Sequence, residues 1–189
     1  METHRTNAAL ARAIAAVAEA SASGALDTAL RAIMEEVVGA LDVERSSAWL
    51  YNPDASAIRC VELFVRSAGS HESGVELRAS DYPRYFAALR AVRTIAADDA
   101  HTDPTTSEFS SGYLTPLGIG AMLDCPIRVG DRMIGVLCNE HVGAARRWTD
   151  AEAAFAASVA DLLAIAIEGR RRRDAEEELR AALALADEG

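Results

Sequence analysis

The chain has 189 residues, 50% of them hydrophobic and 25% charged, with 19 basic against 29 acidic side chains and a net charge of −10. That length fits one domain with attached helices and buries a core without disulfide or metal staples. The acidic balance repels phosphate backbones and anionic lipid heads, which argues against nucleic acid and direct membrane contact.

Cys60, Cys125 and Cys138 form no CxxC pair. An odd, unpaired set argues against a disulfide framework or structural zinc and fits a reducing, cytoplasmic compartment. The first twenty residues lack the basic end and apolar stretch of a signal peptide. No stretch approaches the roughly 18 to 20 apolar residues that span a bilayer.

Leu10, Ala13, Ile14, Val17 and Ala20 recur at helical spacing, so a helix is expected over Asn7–Ser21, capped by Thr6 or Asn7. After the break at residues 21–24, Leu26, Leu30, Ile33, Met34, Val37, Val38 and Leu41 mark a second helix. Strands are expected at Ser46–Tyr51 and Ile58–Val65, joined by the turn Asn52-Pro53-Asp54. Residues 67–81, polar and rich in Gly and Ser, read as a loop. Pro83 suits the first turn of a helix over Tyr82–Val92, and Thr94–Ala97 reads as a short strand.

Residues 98–117 read as a loop holding a short helix near Ser107–Leu114. Gly130-Asp131 joins strands Ala121–Val129 and Arg132–His141 into a hairpin. Thr149 and Glu152 form a capping box for a long helix with Phe155, Val159, Leu162, Leu163, Ala166 and Ile167 on its apolar face. Gly169 interrupts that pattern, as a soft point or as room for a neighbour. Beyond it, Arg170–Arg173 and Glu176–Glu178 flank a thin seam of Leu179, Leu183 and Ala186, which favours pairing with another helix over burial in a core. This order of elements gives an α+β architecture with an antiparallel sheet.

Four stretches resemble the GAF domain, a sensory fold related to PAS. Ala97–Pro104 is similar to the entry to the pocket-covering helix, and Tyr113–Ile127 to the loop and strand after it. Met133–His141 is similar to the next strand, and Arg147-Trp148-Thr149 with Glu152 and Phe155 to the start of the last helix. The resemblance is nearest to GAF domains of bacterial sensor histidine kinases and diguanylate cyclases. It implies a GAF-like antiparallel sheet with helices on both faces, flanked by N-terminal helices and a long C-terminal helix. Residues 1–24 would be an N-terminal helix, 25–168 the sensory domain and 169–189 a signalling helix. Any kinase or cyclase activity would lie outside this chain.

The resemblance further implies a pocket on one sheet face beneath the middle helices. Position assigns its lining to Tyr82, Tyr85, Phe86, His101, Phe109, Tyr113, Leu114, Met122 and Asn139, with plain core packing the simpler role for each. No motif names the ligand: no phosphate-binding glycine loop occurs, nor the family's cyclic-nucleotide pattern, nor the Cys-His pair of its covalent bilin binders. His101 is the residue placed for a proximal haem ligand, and a loop histidine in a polar turn is the simpler reading. The expected function is a ligand-responsive or relay domain, dimeric through its terminal helices and coupled to an output domain of the same protein. The alternatives are a structural dimerisation module with a filled core, and a redox enzyme like the free methionine sulfoxide reductases of the family. The three cysteines fall inside expected strands, which argues against the enzyme.

Overall fold

The computed structural model describes residues 2–187. Helices α1 (Glu2–Ser23) and α2 (Leu26–Leu41) form a hairpin around Gly24, whose φ of +81° suits a residue without a side chain. Helix α1 starts before the expected Asn7, so Thr6 and Asn7 lie inside it and do not cap it. Nothing between Glu2 and Asn7 breaks a helix, and packing of Ala9, Ala13 and Val17 holds the whole element in place. In α2 the stripe Leu30, Ile33, Met34, Val37, Val38 and Leu41 is buried.

Strands β1 (Arg45–Tyr51), β2 (Ala57–Val65), β3 (Ser70–Glu72), β4 (Glu76–Arg78), β5 (Ile95–Ala97), β6 (Ile119–Val129) and β7 (Arg132–Val142) form one antiparallel sheet. Its order is β3-β2-β1-β7-β6-β5, and β4 also pairs with β2. The stretch expected as a loop over 67–81 thus supplies two strands on the outer edge of β2. Each is three residues long, too short to show alternation, and main-chain bonds such as Cys60 N–H to the Val75 carbonyl (2.8 Å) hold the edge. Gly135 pairs with Leu50 across β1 and β7. A Cβ there would lie 2.1 Å from the Trp49 carbonyl oxygen, so this close crossing requires glycine.

Each sheet face carries its own core. One packs Leu123, Cys125, Ile127 and Leu137 against α1, α2 and the final helix α5 (Asp150–Asp187). The other packs Trp49, Met122, Val136 and Cys138 beneath α3 (Pro83–Ala91) and the cover segment 98–118. The cover holds a 3-10 turn (Ser107–Phe109), a π turn (Ser110–Leu114) and a single helical turn, α4 (Thr115–Leu117).

The capping box forms: Glu152 N–H donates to Thr149 Oγ1 (3.2 Å), and Thr149 N–H donates to Glu152 Oε2 (2.9 Å). Arg146 bonds Glu152 and lies 4.3 Å from the centre of the buried Trp148 ring. Helix α5 runs unbroken through Gly169, where a Cβ would meet no atom within 4 Å. No neighbour within the chain therefore needs the room. Past residue 174 the described side chains are exposed. Arg170 donates to the Gly24 carbonyl (3.1 Å), and Arg173 to those of Ser21 (2.5 Å) and Ala20 (3.1 Å). The basic run thus clasps the end of α1, where helix carbonyls are short of donors and carry partial negative charge. Among the described residues no helix is long and apolar enough to cross a membrane.

Candidate functional site

Helix α3 and the cover bring most of the expected lining residues together over β6 and β7. Tyr82 stacks on Phe109 at 4.2 Å between ring centres. Tyr85 meets Phe109 edge-on at 4.8 Å and Phe86 at 5.7 Å, and Tyr113 lies 6.0 Å from Phe109. Met122 and Leu114 complete the cluster. Glu108 Oε2 accepts from the main-chain N–H groups of Arg84 and Tyr85 (3.0 and 3.1 Å), so the cover caps the first turn of α3. Surface hollows lie along α1–α2, along α5 and around Arg90 and Arg128. Where the pocket is expected, the aromatic rings of Tyr82, Tyr85, Phe109 and Tyr113 pack on one another.

Two expected residues stand apart. Asn139 is fully buried but faces α2: it accepts from Ser46 Oγ (2.8 Å), which also contacts Met34 Sδ of that helix. Period-two alternation in β7 puts it on the face opposite the aromatic cluster. His101 lies half-buried in the cover with Nδ1 2.6 Å from Ser110 Oγ, while its main-chain N–H donates to Asp99 Oδ1 (3.1 Å). It fastens one part of the cover to another.

The chemistry under the aromatic lid comes from residues the sequence reading passed over. Asp124 of β6 pairs across the sheet with Cys138 of β7, and Met122 with Glu140. Tyr85 Oη donates to Asp124 Oδ2 (2.6 Å) and lies 3.5 Å from Cys138 Sγ. Tyr113 Oη donates to Glu140 Oε1 (2.7 Å), and Arg45 Nε bridges to Glu140 Oε2 (2.7 Å). Glu140 is therefore a satisfied carboxylate. Asp124 is not: it is fully buried and its Oδ1 has no hydrogen-bond partner.

Burial raises the Asp124 pKa to about 7; the Tyr85 bond opposes it, the nearby Glu140 charge adds to it, and the Asn139 main-chain N–H and the Cys138 thiol oppose it further. Burial, then the Asp124 charge, pushes the Cys138 thiol well above its ordinary value. Burial likewise lifts Cys60 and Cys125 to about 12. None of the three is poised as a thiolate nucleophile. A signal for the cluster did exist in the sequence: Asp124 and Glu140 are charged residues within otherwise apolar strands, two positions from Met122 and Cys138 on the same faces.

The family model for the GAF domain matches residues 25–167. This chain belongs to the GAF family. Among solved structures, the phycocyanobilin-bound GAF domain of a cyanobacterial phytochrome is similar at 20% identity and a TM-score of 0.72, over 89% of this chain and 96% of that one. The GAF domain of a phosphoenolpyruvate-protein phosphotransferase from Coxiella burnetii is 16% identical, with a TM-score of 0.66, over 88% and 96%. Free methionine-R-sulfoxide reductase from Neisseria meningitidis, in complex with its substrate, is 15% identical, with a TM-score of 0.67, over 92% and 94%. These likenesses establish a shared fold. No curated protein matches the sequence.

Proposed function

We propose that this GAF domain is a regulatory module that binds a small molecule bearing a hydrogen-bond donor, such as a protonated amine, at Asp124 beneath the aromatic cover. The orphan Oδ1 of Asp124 carries the reading. A buried acceptor without a donor costs about 1–3 kcal/mol, and a scaffold core has no use for it. A ligand that donates to Oδ1 removes that cost, and a positive ligand also favours the ionised carboxylate.

Entry requires the cover to lift. The π turn at Ser110–Leu114 is a conformation often tied to function, and it carries Tyr113, the donor to Glu140. The signal then passes through the sheet to α1 and α5, and from the dimer's terminal helices to an output domain of a bacterial signalling protein, of the histidine kinase or diguanylate cyclase kind. A covalent bilin is not part of the proposal, because all three cysteines are buried. Neither is sulfoxide reduction, because burial holds their thiols protonated.

The filled aromatic core favours a second reading, a dimerisation module without ligand. Native mass spectrometry of the purified protein, followed by thermal shift with free amino acids and polyamines, separates the two. A bound mass, or a melting shift lost in Asp124→Asn, supports the first reading. No bound mass and no shift with any amine supports the second.

A further inference from the structure

The solvent face of α5 has an internal symmetry. Ile165, Leu179 and Leu183 are 59%, 61% and 58% exposed, a large apolar cost for a folded surface. Steps of three and four link Leu162, Ile165, Gly169, Arg172, Glu176, Leu179, Leu183 and Ala186 into one continuous stripe, the spacing of a two-helix seam. Through Ile165, Gly169 and Arg172 this stripe lies opposite the buried line of Val159, Leu163 and Ile167, and Ile165 and Arg172 are exposed, while Leu162 at its start is partly buried against the core.

The stripe is self-complementary about residue 174. Arg172 and Glu176 stand two positions either side of it, Gly169 and Leu179 five, Ile165 and Leu183 nine, and Leu162 and Ala186 twelve. We infer that two chains associate through an antiparallel pairing of α5, with the two-fold axis at the level of residue 174. This rests on the dimer proposed above and adds its direction.

In that arrangement Arg172 of each chain meets Glu176 of the other. Leu183 meets Ile165, and Leu179 enters the gap left by Gly169, where a Cβ would meet nothing beyond its own stretch of helix within 4 Å. The partner's leucines run beside a groove of about 500 Å3 bounded by Val129, Ala164, Ile165 and Gly169. A parallel pairing in register does the opposite. It sets Arg172 against Arg172 and Glu176 against Glu176 at the seam, and like charges so placed destabilise. Arg173, which flanks the axis, is held away from its counterpart by the carbonyls of Ser21 and Ala20.

Cysteine crosslinking of the full chain tests the direction, since all three native cysteines are buried. Under mild oxidation the double variant I165C/L183C should give a covalent dimer, while I165C or L183C alone should give none. In an antiparallel pair, residue 165 of one chain stands about 27 Å along the axis from residue 165 of the other. A charge series provides a readout independent of oxidation. Arg172→Glu should weaken the dimer on the order of tenfold in Kd, about 1.4 kcal/mol, and R172E/E176R should restore it. Self-linking of either single variant, or a double swap that fails to rescue, overturns the antiparallel direction and leaves the dimer standing. A monomer mass by light scattering at tens of micromolar overturns both.

Discussion

Asp124→Asn isolates the cost of holding an ionisable carboxyl in the core. The two side chains have nearly the same shape, and the amide cannot ionise. Asp124 titrates in the fold at about 7, against an ordinary value of 3.8. The unfolded chain loses this proton near pH 4, while the folded chain keeps it until about pH 7. Within that window the native state binds more protons, so its stability falls as pH rises and levels off above pH 7. Each pH unit inside the window is worth about 1.4 kcal/mol, which makes about 4 kcal/mol an upper limit for the whole. Between pH 5 and pH 8 the stability of Asn relative to Asp should therefore grow by about 2–3 kcal/mol. That is about 5–10 °C in Tm for a chain of this size. Urea denaturation of both proteins at the two pH values reads it directly. The amide nitrogen facing the site adds a constant offset, which cancels in the comparison. A gap between the variants that stays the same from pH 5 to pH 8 would refute the reasoning.

Thiol reagents should label Cys60, Cys125 and Cys138 only at the rate of unfolding, and fast labelling of any one in the folded protein would restore a redox role. Glu152→Ala removes the capping-box acceptor and the partner of Arg146 together and should cost about 2–3 kcal/mol; a chemical denaturation midpoint unchanged from wild type would show that the cap is idle. Gly169→Ala places its methyl in open space within a helix and should stabilise the chain by about 0.5–1 kcal/mol. Circular dichroism melting at low protein concentration checks this, and a lower Tm would mean that the junction does not stay helical.

The parts of the fold legible in the sequence are those in which one residue pattern decides one structure. The stripe of α2, the Gly130-Asp131 hairpin and the Thr149–Glu152 box are local signals, and each element forms where the pattern puts it. Strands β3 and β4 escaped notice because their pairing depends on β2, not on their own residues. At the site, α3 and the cover could be placed, and with them the aromatic cluster. Asn139 lies on the opposite face because side chains alternate along β7, between Cys138 and Glu140 on the aromatic side. Asp124 and Glu140 were missed because their partners, Tyr85, Tyr113 and Arg45, lie between 27 and 95 residues away. Only the folded sheet brings them together.

The clasp of Arg170 and Arg173 on the end of α1 has a mechanical consequence. It makes α5 a see-saw with its fulcrum near residue 173 and one arm inside the domain. From Phe155, where the core grips the helix, to that fulcrum is about 27 Å, and from the fulcrum to Asp187 about 21 Å, at 1.5 Å per residue. Arms so nearly equal give little gain: a shift of about 1 Å beneath the sheet emerges as roughly 0.8 Å at the far tip, in the opposite direction. On the proposed relay, an output that reads this helix must therefore resolve movements smaller than the width of an atom.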